Sequence, residues 1–170
     1  GLISIFKLLM PTLTIIVLML SGFHTSNFGQ SIHEFMPYGS RSIFEATTVA
    51  GIIFSYDAFQ TVVNLGGEMK DPQKNIYRGV VISLTITAVL YILLQITFVG
   101  AVRPSLLTAH GWHGIDFASP FADLAILMGI NWLTILLYID AFVSPFGTGV
   151  AFVTNASRTL AAMARGDHLP

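Results

Sequence analysis

The chain has 170 residues, of which 54% are hydrophobic and only 10% are charged, and its formal net charge is -1. With a mean hydropathy of +0.73, this composition is typical of integral membrane proteins and not of soluble domains. The sequence contains no cysteine, which excludes disulfides and thiolate metal sites, and the near-neutral charge gives no indication of nucleic-acid binding.

Four apolar segments are long enough to cross a membrane as helices, because a hydrocarbon core of ~30 Å needs about 20 helical residues. They are residues 2–22, 44–65, 80–102 and 132–164, the last of which is expected to continue into the cytoplasm. Lipid offers no hydrogen-bond partners to the backbone, so the segments must be helical. The apolar run begins directly after Gly1, and we expect the chain to be a portion of a longer protein.

The connections between these segments differ in charge. Residues 66–78 carry three basic side chains, whereas the histidine-containing connections before residue 44 and after residue 102 carry few. By the positive-inside rule, 66–78 and the C-terminal end are cytoplasmic. Within the third connection, residues 120–128 are predicted to form a short surface helix with Ser119 as its N-cap.

The second segment is interrupted by Phe54, Ser55, Tyr56 and Asp57. A carboxylate at the centre of a bilayer costs at least ~2.5 kcal/mol, so Asp57 is a candidate functional residue. Serine and aspartate are poor helix formers, which favours an unwound stretch that exposes backbone groups to a substrate. The alternative is an ordinary membrane helix in which the serine bonds back to its own turn.

Polar side chains also recur in the fourth segment. Asp140, Ser144 and Thr148 are spaced at i, i+4 and i+8 and therefore share one helix face. This stripe can form a path for protons or ions. Alternatively, the hydroxyl groups only join helices and the aspartate is a structural hydrogen-bonding group.

The pattern expected of an enzyme or a metal protein is absent from the sequence. His110 and His113 have helical spacing, but the intervening glycine and the absence of acidic neighbours favour a surface loop over a metal site. No nucleophile with a neighbouring base and no phosphate-binding glycine loop occurs. We therefore expect no enzymatic activity, no cofactor and no metal.

The motifs resemble one family of membrane transporters. The FSYDAF sequence followed by GGEMKDPQKNIYRG is similar to the sixth transmembrane helix and following loop of the amino acid, polyamine and organocation superfamily. Residues 140–149 and 157–165 resemble its eighth helix, and FKLLMP at residues 6–11 resembles its fifth. The similarity covers essentially the whole chain in the right order.

The resemblance implies an all-α integral membrane protein, a part of a leucine-transporter-like fold of two inverted repeats. The chain would supply helices five to eight, with one discontinuous helix, and the remaining transporter helices would be its partners. It further implies secondary transport of amino acids by alternating access, coupled to protons, in a bacterial or archaeal cell membrane with several passes. An amino acid or amine exchanger and a non-transporting scaffold subunit are the alternatives.

The resemblance also assigns roles to individual residues. Substrate contact falls on the four residues from Phe54 to Asp57, and a role in coupling on Lys7. Together with the buried carboxylate and the polar stripe described above, this gives a candidate set for proton or ion coupling: Lys7, Asp57, Asp140, Ser144 and Thr148. In some relatives a lysine on the fifth helix takes the place of a sodium ion, and Lys7 matches that motif position. The alternative for Lys7 is a lysine that extends its charge to the membrane edge.

Overall fold

A computed structural model describes residues 2–29, 31–36, 38–48, 52–59 and 70–166, apart from the side chains of 32, 33, 57–59 and 110. All regular elements in these ranges are helical, which confirms the all-α fold class. The α-helices are α1 (Leu2–Ser21), α2 (Ile32–Phe35), α3 (Gly39–Thr48), α4 (Pro72–Ala101), α5 (Pro104–His110), α6 (Pro120–Leu127) and α7 (Asn131–Arg165). Short 3₁₀ helices cover Thr25–Phe28, Ile53–Phe59 and Trp112–Gly114.

Within the described ranges, three helices, α1, α4 and α7, are long and apolar enough to cross a membrane. They overlap three of the four predicted segments. The other predicted segment, residues 44–65, falls partly on 49–51 and 60–69, which lie outside the described residues.

Helix α4 begins eight residues before the apolar segment from which it was predicted. Its first residue is Pro72, whose fixed φ angle suits the first position of a helix. The helix then continues through Lys74 and Arg78, which are good helix formers. Hydropathy marks the part of a helix that lipid can surround, so it does not detect a polar first turn.

The chain divides into two compact units, one comprising Gly1–Phe44 with Leu90–Ser144 and the other Glu45–Val89 with Pro145–Pro170. The first unit contains a hydrophobic core in which α1, α4, α6 and α7 all take part. Its fully buried members are Leu18, Ala101, Val102, Leu124, Ala125 and Leu133. In the second unit, the described part of α7 carries exposed apolar side chains such as Phe146 and Val153, as a lipid-facing or helix-facing surface would.

Helix α6 lies within the predicted range 120–128 and buries one side, with Ala122, Leu124 and Ala125, while Ile126 and Leu127 are exposed. Leu124 and Ala125 belong to the hydrophobic core of the first unit. Ser119 does precede the helix, but its side chain makes no capping hydrogen bond. Its backbone N–H instead donates to Asp123 Oδ2 at 3.0 Å.

The loop after α1 is bound to the C-terminal end of α4. The His24 N–H donates to the Gly100 carbonyl at 2.8 Å, and the Asn27 side-chain amide donates to the carbonyls of Val99 at 2.8 Å and Val102 at 2.7 Å. The last carbonyls of a helix have no donor within the helix. The loop therefore supplies donors that the helix end lacks.

A glycine permits the loop to approach α4 this closely. A Cβ atom placed on Gly100 would clash with the edge of the Phe23 ring. The ring in turn packs against Phe28, with a centroid distance of 5.8 Å. The close approach of loop and helix thus depends on the missing side chain at position 100.

We expect Gly100→Ala to lower stability, although alanine usually favours a helix over glycine. The expected loss is about 1 to 3 kcal/mol, as for other overpacked sites, and it should appear as a lower thermal unfolding midpoint in detergent. In a Phe23→Ala background, the same substitution should have no cost or should stabilise the helix by up to about 1 kcal/mol. An equal loss in both backgrounds would contradict the proposed packing.

Candidate functional site

The stretch predicted to be unwound is a 3₁₀ helix from Ile53 to Phe59. It follows α3 after an interval that includes the undescribed residues 49–51. Within it, the Ser55 N–H donates to the Ile52 carbonyl at 3.1 Å, an i to i−3 bond. Such 3₁₀ runs seldom exceed four residues, and within longer helices they often mark functional hinges. At 7 residues, this run is long for its type.

Local sequence explains why this stretch does not form a regular α-helix. β-branched and aromatic residues such as Ile53, Phe54 and Tyr56 lose side-chain freedom in an α-helix, and serine and aspartate compete for backbone hydrogen bonds. Phe54 is 73% exposed, Ser55 is exposed and Tyr56 is half-buried. The backbone of Asp57 lies in the same segment, but its side chain is outside the described set. Substrate contact by these residues therefore stays a prediction.

Two side chains of the polar stripe on α7 are joined by a direct hydrogen bond. Ser144 Oγ donates to Asp140 Oδ1 at 2.8 Å, one helical turn apart, and both residues are half-buried. The spacing that predicted a shared face thus brings these two side chains together. Thr148, one turn further on, is exposed.

The Ser144 hydroxyl differs in its partner from several other hydroxyl groups on α7. Those of Thr134, Thr154 and Thr159 donate to the backbone carbonyl four residues earlier, at 3.3, 2.8 and 3.0 Å. That local bond is the usual arrangement for Ser and Thr within helices. At Ser144 the proton points to a carboxylate instead, so two side-chain oxygens lie close together on this turn.

The helix is also modified at this turn by Pro145, which lies inside α7 directly after Ser144. Proline has no N–H, so the Ala141 carbonyl four residues earlier receives no helical hydrogen bond from it. This turn therefore combines a backbone carbonyl that has lost its helical N–H donor with the Asp140 carboxylate and the Ser144 hydroxyl. Such a set of oxygens can accept a proton or a small cation.

Lys7 lies on α1, is half-buried and precedes another proline inside a helix, Pro11. As at position 145, the proline has no N–H to donate to the carbonyl four residues earlier, here that of Lys7 itself. The structure thus places Lys7 on a different helix from Asp140 and Ser144. Both roles considered for it, coupling and membrane-edge lysine, stay predictions.

The sequence did not single out a cavity of about 440 Å³ in the first unit. Its lining combines the loop after α1 with the last turns of α4 and with Trp112. The only sequence signal was the recurrence of phenylalanine in the loop, at Phe23, Phe28 and Phe35. The same loop region reaches the third connection, where the Tyr38 hydroxyl forms a hydrogen bond with His113 Nε2 and the two rings meet edge to face.

Comparison with known proteins places the chain among transporters. A family model described as "Amino acid permease" matches residues 2–170. The glutamate/serine transporter AimA of Bacillus subtilis is 49% identical over 172 residues, which cover 100% of this chain and 31% of that protein. No solved structure matches significantly.

Two further relatives carry related names. The aspartate-proton symporter of Bacillus subtilis is 37% identical over 169 residues, covering 98% of this chain and 32% of that protein. The mitochondrial cationic amino acid transporter 3 of Arabidopsis thaliana is 27% identical over 136 residues, which cover 80% of this chain and 21% of that protein. The chain thus spans about a third or less of the length of the curated relatives that it matches.

We predict that the Asp140–Ser144 pair has a measurable coupling free energy. In a double-mutant cycle of Asp140→Ala and Ser144→Ala, which removes the acceptor and the donor, unfolding free energies should deviate from additivity by about 0.6 kcal/mol, the average for polar pairs in membrane helices. A matched cycle of Asp140→Ala and Thr154→Ala should be additive, because the Thr154 hydroxyl donates to the Val150 carbonyl of its own helix. Additivity in both cycles would contradict the prediction, because it would show that the hydrogen bond between Asp140 and Ser144 adds nothing to the free energy of unfolding.

Proposed function

The chain belongs to the amino acid permease family, whose members are transporters and not enzymes, and we propose that it forms part of a secondary transporter of amino acids. The observation that carries the proposal is the 49% identity to an amino acid transporter across the full chain. Three apolar helices long enough to span a membrane agree with it. On this proposal the chain crosses the cell membrane several times and supplies about a third of the transporter.

We place the substrate contact at the 3₁₀ segment Ile53–Phe59. Broken helices in transporters present backbone amides and carbonyls, together with the partial charges of helix ends, to substrates near the middle of the membrane. In this segment Phe54 and Tyr56 offer aromatic surfaces beside the backbone groups of Ser55 and Asp57. The leucine-transporter-like fold, with a second broken helix that completes the site, belongs to this proposal.

We propose coupling to protons, with Asp57 and the Asp140–Ser144 pair as the groups that carry them. One relative at 37% identity is named as an aspartate-proton symporter. The hydrogen bond of 2.8 Å from Ser144 Oγ to Asp140 Oδ1 supports the proposal, because it brings a hydroxyl and a carboxylate together on α7. Lys7 and Thr148 complete the proposed coupling set. A lysine can fill the place of a cation, which favours coupling without sodium.

The names of the relatives favour small or acidic amino acids as substrates, since one carries glutamate and serine in its name and another carries aspartate. An anionic substrate beside Asp57 would meet a like charge, which is unfavourable in a medium of low dielectric constant. Protonation of the carboxyl group removes that repulsion. A proton bound at Asp57 would therefore favour binding of an acidic amino acid, which links transport of the two.

We expect Asp57→Asn and Asp140→Asn to reduce proton-driven uptake at least tenfold or to abolish its dependence on pH. The measurement is uptake of labelled serine, glutamate and aspartate into liposomes that contain the full-length protein, with and without an inward proton gradient and without sodium. Asp116→Asn, which removes an exposed carboxylate from a loop, is the matched control and should leave uptake unchanged.

Wild-type uptake by both variants would remove the two acids from the mechanism. If uptake by the unmodified protein is independent of the proton gradient but requires amino acid inside the liposomes, the protein is an exchanger. Absence of uptake for every amino acid, with sodium added as well, would favour the scaffold subunit.

A further inference from the structure

The cavity of about 440 Å³ in the first unit has a lining with a distinct chemical character. Four aromatic side chains, Phe28, Phe35, Phe98 and Trp112, contribute to it, together with Glu34 and the amides of Asn27 and Gln95. We call this cavity, defined by those seven residues, the loop pocket. The remaining described lining residues come from α4 and are apolar.

The polar groups of the loop pocket favour a ligand that is positively charged. Glu34 contributes a carboxylate. Asn27 already donates its side-chain N–H groups to the carbonyls of Val99 and Val102, so its remaining hydrogen-bonding capacity is that of an acceptor. Among the lining residues that the structure describes, none is a lysine, arginine or histidine.

The aromatic side chains favour the same kind of ligand. The face of an aromatic ring carries partial negative charge and attracts a cation within about 6 Å of its centre, most strongly for tryptophan. Phe35 is 66% and Trp112 is 41% exposed, so both rings are accessible to a solute. A carboxylate beside several aromatic faces is the combination by which proteins recognise organic ammonium ions.

The backbone holds Glu34 in this position. Gly29 has a φ angle of +74°, and a Cβ atom on it would lie 2.6 Å from the Glu34 Cβ. The Glu34 N–H donates to Ser31 Oγ at 3.3 Å, and the Phe35 N–H donates to the Ser31 carbonyl at 2.9 Å. The loop is therefore closely packed against Glu34 at Gly29. The side-chain N–H groups of Asn27 attach the loop to the C-terminal end of α4.

We propose that the loop pocket binds an organic ammonium group, carried either by a free amine or by an amino acid as its own α-ammonium. The volume accommodates a molecule of amino acid size together with water. The bound cation would lie against the aromatic faces with its N–H groups directed to Glu34. The described lining of this site includes no residue of the 3₁₀ segment. The proposal does not depend on the transport proposal, because binding can be measured without flux.

The test is equilibrium binding by calorimetry with the full-length protein in lipid nanodiscs, using n-butylammonium and its neutral analogue n-butanol as probes. Butylammonium should bind saturably and n-butanol should not. Glu34→Gln should weaken butylammonium binding roughly tenfold, since it removes a charge-assisted hydrogen bond. Glu45→Gln, which removes the same charge outside the loop pocket, should have no effect.

The aromatic contribution is tested by a graded pair of substitutions. Trp112→Leu should weaken binding roughly fivefold and Trp112→Phe by less, because phenylalanine keeps an aromatic face. These variants also cover the case in which Glu34→Gln does not fold. Equal binding of butylammonium and n-butanol, equal effects of Glu34→Gln and Glu45→Gln, or equal effects of the two Trp112 variants would overturn the proposal.

Competition distinguishes the two sources of the ammonium group. If L-serine displaces butylammonium in a manner that depends on Glu34 while N-acetyl-L-serine does not, the ligand is an amino acid recognised by its α-ammonium. If neither displaces it, the loop pocket selects free amines. Displacement by N-acetyl-L-serine, which has no ammonium group, would contradict the proposed chemistry.

Discussion

The constraint on which the structure depends is that lipid provides no hydrogen-bond partner to the backbone, so each spanning segment must satisfy its own N–H and carbonyl groups. Helices α1, α4 and α7 meet this requirement over 20, 30 and 35 residues. Several of the proposed coupling and substrate residues lie where the α-helical pattern is incomplete: Lys7 four residues before Pro11, Ser144 next to Pro145, and Phe54 to Asp57 in the 3₁₀ segment. Substrate binding and proton coupling are thus expected where backbone N–H or carbonyl groups are not used within the helix.

The same constraint applies at the helix ends, where carbonyls lack donors within the helix. At the end of α4 the donors come from His24 and Asn27, far away in sequence. At the end of α6 the donor is the Arg103 side chain, whose Nη2 lies 2.7 Å from the Leu127 carbonyl. These contacts attach the loops to the helices, and the loop pocket is formed by the loop held in this way.

Features that depend on neighbours in sequence could be predicted, and features that depend on distant residues could not. Hydropathy located the long helices, and the i, i+4 spacing anticipated the contact of Ser144 with Asp140. The residues against which α6 packs, Leu18 and Leu133, could not be predicted because they lie elsewhere in the chain. The loop pocket was missed for the same reason, since Glu34 and Trp112 are brought together only by the folded loops.

Counterflow through the full-length protein tests the central claim, that this chain belongs to a carrier which exposes its site alternately to the two sides of a membrane. Liposomes loaded with unlabelled serine are diluted into labelled serine without a proton gradient. A carrier predicts a transient accumulation of label above its external concentration, because outward movement of unlabelled serine returns the site for inward loading. A label concentration that only approaches the external value, without an overshoot, would contradict alternating access.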